Sequence, residues 1–297
     1  MQLKAGHPVA AALRPWMQLI KVPLCLPIAC SAGFGFILHT PTLTPALGAV
    51  LVGVLFLACG AAGFNSLQEA SADRLLIRTR NRPLVTGRLT ERGAALFSFL
   101  LVLLGCLALL LSAGNGQPLL LGLAALVLYN GVYTPFKEIS VFALFPGGLA
   151  GAIPPLIGWN ASGGLLDDSR AGLLLALFFL WQIPHFCMIL LYHQEDYRST
   201  HQPTLIRLLP EQSLKRITLV WILAFSAVAL SLPLYPDLLN TGSRLTIVLM
   251  AGVMVALCLP LFLNKNTANY RLLFFIFNGA FFSAMLLVAL LQLLSAR

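Results

Sequence analysis

The chain has 297 residues, of which 59% are hydrophobic and 10% charged, with a formal net charge of +9. Soluble domains carry about 25% charged residues, so a soluble globular enzyme, a disordered chain and a nucleic-acid-binding arm are excluded. The composition is that of an all-α, polytopic membrane protein.

Residues 1–14 are too polar for a cleavable signal peptide and lack the pattern of a transit peptide, so they read as a cytoplasmic tail. Nine apolar runs then follow, each about as long as a bilayer-spanning helix. They cover roughly 15–38, 44–64, 93–112, 118–136, 140–159, 171–191, 217–235, 245–263 and 272–294. No strand-type alternation supports a barrel, and no long linker divides the chain, so 1–297 forms one domain. The six cysteines form no CxxC pair and lie in apolar stretches, which reads as small apolar packing.

The two long connections, 65–92 and 192–216, both follow even-numbered helices and therefore share a side. Sixteen of the nineteen Lys and Arg fall on that side with the N-terminal tail, and the other three are Arg170, Arg244 and Arg297. By the positive-inside rule this side is cytoplasmic and the C-terminus lies outside. The expected location is a bacterial inner membrane.

At the end of the second predicted helix the chain reads NSLQEASADRLLIRTRNRP. Asn65, Glu69 and Asp73 recur at a stride of four, which keeps them on one helical face over about 12 Å. Two carboxylates and an amide make an oxygen-donor set suited to Mg²⁺. Arg78, Arg80 and Arg82 follow, and guanidinium groups pair with phosphate bidentately. Arginines here would also enforce topology and meet anionic lipid, with the carboxylates as their ion-pair partners. Topology alone needs no stride of four, which favours a metal-diphosphate site.

The stretch FPGGLAGAIPPLIGW at 145–159 admits two readings. Its small residues either pack against neighbouring helices or leave a flat wall for a planar ligand. Pro154 and Pro155 are expected to break the helix near its outer end. The sixth predicted helix ends FLWQIPHFCMILLYHQEDYRS and brings Glu195 and Asp196 to the cytoplasmic mouth. Two acidic helix ends can clamp a diphosphate between metal ions. Gln182 and His185 lie deeper, with His185 about 16 Å along the helix from Asp196. Polar groups at that depth are costly unless they face a cavity or a partner. His185 either bonds a neighbouring helix or touches a polar ligand, His193 reads as solvated at the interface, and Asn278 reads as a packing amide.

Asn65, Glu69 and Asp73 with Arg78-Thr79 and Arg82-Pro83-Leu84, then YTPFKE with Lys137, GGLAGAIPPLIGW, WQIPHF and Asp196-Tyr197, form a combination. On it, the chain resembles the UbiA-type intramembrane prenyltransferases over about residues 15–290, and within them the haem-farnesylating branch. Two departures stand out. Glu69 replaces the more usual Asp, and Ser199–Pro210 reads STHQPTLIRLLP where the branch carries an AGIPMLP-like run.

The resemblance implies nine helices around a central cavity. It implies transfer of the farnesyl group of farnesyl diphosphate to the 2-vinyl group of haem b, giving haem O. Asn65, Glu69, Asp73 and Asp196 would hold Mg²⁺, directly or through water. Arg78, Arg82 and Lys137 would contact the diphosphate, and His185 would meet haem iron or the propionate side. Asp73, Asp196 and Arg78 would be the catalytic groups. Membrane lipid is the surrounding partner, and a haem A synthase or a terminal oxidase under assembly is the downstream one. An aromatic, quinone-precursor acceptor would keep the acidic motifs without needing His185. A transporter or haem-handling assembly factor would need no metal-diphosphate site.

Overall fold

The computed structural model describes residues 8–75, 79–198, 203–263 and 269–296. Among these the secondary structure is helical throughout, without strands. A 13-residue helix, α1 (Pro8–Ile20), precedes α2 (Val22–His39). Then come α3 (Pro45–Gln68), a single turn α4 (Ala70–Asp73), α5 (Glu91–Leu110), α6 (Gln117–Phe136) and α7 (Val141–Ala161). The chain continues through α8 (Ser169–Tyr192), the short α9 (Gln194–Arg198) and α10 (Leu205–Leu208), and α11 (Glu211–Leu234). It closes with α12 (Thr241–Leu263) and α13 (Tyr270–Ser295). Eight of these helices are long and apolar enough to cross a bilayer. The apolar stretch Thr241–Leu257 of α12 is shorter than these, so the expected nine spans compare with eight among the described residues.

The long helices match the expected spans to within a few residues, except the first and the start of α11, which begins at Glu211, six residues before the expected 217. The run 15–38 is two helices, because Lys21 adopts left-handed backbone angles (φ 51°, ψ 45°). Such angles are costly for a residue with a Cβ. Pro23, in the first turn of α2, offers no N–H to continue α1 across the joint.

Leu96, Phe99, Leu103, Leu107 and Leu110 of α5 stay exposed at helical spacing, a lipid-facing stripe. Inside, Trp159, Phe225 and Phe277 are almost fully buried between α7, α8, α11 and α13. The α2–α7 crossing is closer still. A Cβ built on Gly158 would lie 1.8 Å from the carbonyl oxygen of Ala32, and one on Gly35 would lie 1.9 Å from that of Pro155. Contrary to the sequence expectation, α7 runs through Pro154 and Pro155 to Ala161. Both prolines are buried, one of them facing that glycine. The glycine stretch before them is covered: Tyr133 packs on Gly147, Phe179 on Gly148 and Gln182 on Gly151. It packs helices and is no open wall.

Candidate active site

The stride of four survives the end of α3. Glu69 donates its N–H to the Asn65 carbonyl (3.0 Å), and Asp73 donates to that of Glu69 (2.8 Å). The helical path thus carries all three donors to one cavity of about 450 Å³. That size suits one small-molecule ligand. The cavity's polar end holds Lys21, Asn65, Glu69, Asp73, Arg82 and Lys137. Its apolar walls include Leu24, Leu144, Phe186, Leu190 and Phe274.

Each side chain in this set meets a cation through at least one oxygen. The Asn65 Oδ1 accepts from Lys21 Nζ at 2.9 Å, and its Nδ2 donates to Thr134 Oγ1 at 3.2 Å. Glu69 pairs through Oε1 with the Lys137 ammonium and through Oε2 with Arg82 Nη1 at 3.2 Å. Asp73 meets the same Nη1 at 2.6 Å. One cationic atom therefore satisfies both carboxylates. Asn65 and Asp73 are buried, at 2% and 4% exposure, which few unpaired polar groups tolerate. The Thr79 hydroxyl donates to the Asp73 carbonyl (3.0 Å), tying the turn after α4. Burial first, then the charge of Lys21, brings the Lys137 ammonium down to about 8, with Glu138 opposing. It stays mostly cationic at neutral pH.

Two carboxylates and an amide oxygen converging on positive charge fit a divalent oxygen-loving cation. The cations around them fit the oxygens of an anion. The site therefore has the donor set for a metal and the charges for a diphosphate on one cavity wall.

Asp196 is not on that wall. It lines an adjoining hollow with Glu195, Asn269, Tyr270 and Arg271, and the two hollows share Tyr192 and His193. Among the described residues no three His, Cys, Asp or Glu side chains cluster as a metal site. The two acidic motifs thus line adjoining hollows that share Tyr192 and His193. Arg78 lies outside the described residues. Arg82 and Lys137 lie where an anion would be met, but both also pair the carboxylates. His185 is not part of the polar end. Its Nδ1 lies 2.7 Å from Asn278 Oδ1, and its ring packs on Phe186 and Phe274, which line the cavity.

Three contributions escaped the sequence. Lys21 enters the cavity because the chain turns left-handed there, and the Lys-Val-Pro step was the available signal. Tyr129 and Tyr133 line the cavity from π-helical turns of α6 at Val127–Tyr133. Such widened turns recur at functional sites. Lys137 sits 5.1 Å over the Tyr133 ring, so the aromatic also shares in holding the ammonium. His193, expected to be solvated, closes α8 and forms part of the rim.

The UbiA prenyltransferase family matches residues 26–293. The chain is 34% identical to protoheme IX farnesyltransferase of Oleidesulfovibrio alaskensis, over 81% of its own length and 84% of that protein. Against protoheme IX farnesyltransferase of Geobacter sulfurreducens the identity is 38%, over 70% and 76%. Its fold is shared with a UbiA homologue from Archaeoglobus fulgidus bound to GPP and Mg²⁺, with a TM-score of 0.66, 19% identity and coverage of 93% and 99%. It is also shared with a UbiA homologue from Aeropyrum pernix, with a TM-score of 0.69, 21% identity and coverage of 89% and 98%. The metal-suited carboxylate face, the cations beside it and the apolar walls of one cavity are thus set in a shared helical frame, and the chain belongs to the UbiA prenyltransferase family, in its protoheme IX farnesyltransferase branch.

Proposed function

We propose that the chain transfers the farnesyl group of farnesyl diphosphate to the 2-vinyl group of haem b, giving haem O and diphosphate. The observation that carries this reading is the cavity in which Asn65, Glu69 and Asp73 stand with Lys21, Arg82 and Lys137 above apolar walls. Relatives matched along most of both lengths are protoheme IX farnesyltransferases, which supports haem as acceptor.

Asn65, Glu69 and Asp73 are the residues that would hold Mg²⁺, which when bound supplies Lewis-acid neutralisation of the departing diphosphate. Asp196 takes part from the opposite side of the shared rim, through water. Arg78, Arg82 and Lys137 hold the diphosphate oxygens, and Lys21 adds a fourth cation. As the C1–O bond lengthens, negative charge grows on oxygens that these cations already face, which lowers the barrier. The apolar walls hold the farnesyl chain and exclude water from the allylic cation. The vinyl π-electrons then form the new bond to C1. Water adds to the carbon left electron-poor on the haem side and loses a proton, leaving the hydroxyethylfarnesyl group. His185 offers its imidazole to the iron of the haem substrate.

The polar end and both long connections face the cytoplasm, where farnesyl diphosphate is dissolved, and the C-terminus lies outside. This orientation rests on the distribution of Lys and Arg. The product is a haem with a lipid tail, so its recipient is a membrane protein such as a haem A synthase or a terminal oxidase under assembly.

Mass spectrometry of haem from cells with and without the chain tests the reaction. Haem O is expected only with it. Absence of haem O, with prenylation of a hydroxybenzoate by the purified protein, would replace haem with an aromatic acceptor. Lys21 gives a second test. Lys21→Gly keeps the left-handed joint accessible and removes one charge-assisted hydrogen bond, worth about 1.5–3 kcal/mol. Farnesyl diphosphate binding is expected to weaken by roughly 10- to 100-fold, and the melting temperature to fall modestly because the buried Asn65 Oδ1 loses its partner. Unchanged binding in calorimetry would remove Lys21 from the site.

A further inference from the structure

Asn278 belongs to α13 and His185 to α8, and their side chains meet inside the bundle. The Asn278 Nδ2 donates to the Phe274 carbonyl oxygen at 2.6 Å. A carbonyl only accepts, so the amide nitrogen must face that oxygen, and Oδ1 must face His185. Oδ1 also only accepts, and it lies 2.7 Å from His185 Nδ1. The imidazole proton is therefore on Nδ1. A neutral ring so bonded carries its lone pair on Nε2. Among the described residues, no hydrogen-bond partner meets Nε2.

A second observation points to a ligand beside the same ring. The Trp181 ring lies 4.9 Å from that of His185, one turn before it on α8. Its buried indole N–H has no hydrogen-bond partner among the described residues. A buried donor and an uncommitted basic nitrogen next to each other, inside the membrane-spanning bundle, are costly if nothing ever meets them. Phe274 and Phe186 pack on the His185 ring and also line the cavity, so His185 adjoins the reaction chamber.

We infer that Asn278 is a positioning residue: it fixes His185 in the Nδ1–H tautomer and so presents Nε2 as the ligand for the iron of the haem substrate. Metal-ligating histidines are oriented in this way by an acceptor on the second ring nitrogen, which also makes the ligating nitrogen more basic. The inference rests on the reading that haem is a substrate and that His185 meets its iron.

The test uses the full chain in detergent, loaded with haem b and reduced, and reads the iron–histidine stretching band by resonance Raman spectroscopy. The band is expected in the wild type, absent in His185→Ala, and restored there by added imidazole. Asn278→Asp strengthens the acceptor and should move the band to higher frequency. Asn278→Leu removes the acceptor and should move it lower, with haem affinity falling roughly 10- to 100-fold. Farnesyl diphosphate binding should stay at the wild-type level in both, which shows that they fold. A band at wild-type frequency in both Asn278 variants overturns the positioning role while leaving His185 as ligand. A band unchanged in His185→Ala, or absent from the wild type, overturns the underlying haem-ligand reading itself.

Discussion

Asp73→Asn is expected to lower turnover about 1,000-fold while leaving the protein folded. The substitution keeps the shape of the side chain and removes its charge. Asp73 is 4% exposed and its Oδ2 lies 2.6 Å from Arg82 Nη1. Losing the carboxylate weakens the donor set for the divalent cation, whose contribution to a charged transition state is several kcal/mol. Each 1.36 kcal/mol is tenfold in rate, so a loss of about 4 kcal/mol gives the stated factor. Arg82 keeps Glu69 as a partner, which limits the structural damage. Single-turnover assays with farnesyl diphosphate and haem b at saturating Mg²⁺ measure the rate. A fall of less than tenfold would remove Asp73 from the metal set.

The second large effect falls on the fold. Gly158→Val is expected to abolish recovery of monodisperse protein. A Cβ at this position would lie 1.8 Å from the Ala32 carbonyl oxygen and 2.8 Å from the Phe36 nitrogen. Both are backbone atoms, so no rotamer change relieves the clash, and α2 and α7 must separate. Ordinary overpacking costs roughly 1–3 kcal/mol, and moving two backbones apart lies at or beyond the top of that range. Gly172→Ala is the matched control, because a Cβ there meets nothing within 4 Å. Its thermal unfolding should stay within about 1 kcal/mol of the wild type or rise. Equal yields of the two variants would show that the α2–α7 crossing is not the tight point described.

Much of this was legible in the sequence because membrane helices announce themselves by length and hydropathy. The spans of α3, α5, α8 and α13 were found within a few residues for that reason. The acidic face was legible because helical periodicity continued past Gln68 into α4. The joint at Lys21 was hidden by the same signal that revealed the spans: apolar residues continue on both sides of it, and a single cation reads as a topology charge. The placement of Asp196 was hidden because Tyr192 ends α8, and the chain turns at His193 into α9. A separation of about 16 Å measured along one regular helix does not survive that turn. The glycine stretch left two readings open because close packing and an open wall need the same small residues. Only the positions of Tyr133, Phe179 and Gln182 separate them. The role of Asn278 depends on a contact with a residue 93 positions away, which no local pattern encodes.

The pairing of Glu69 and Asp73 with Arg82 and Lys137 has a consequence for how the protein is made. Two carboxylates brought together at a membrane surface would resist assembly by mutual repulsion and by loss of hydration. Here three side-chain cations, Lys21 among them, reach the cavity alongside the two anions. The chain supplies its own counter-charge from three separate stretches of sequence. Its helices can therefore associate during biogenesis without waiting for an ion from solution, and neutralising the acidic face becomes part of the force that draws the α1–α2 joint, the arginine loop and the end of α6 together.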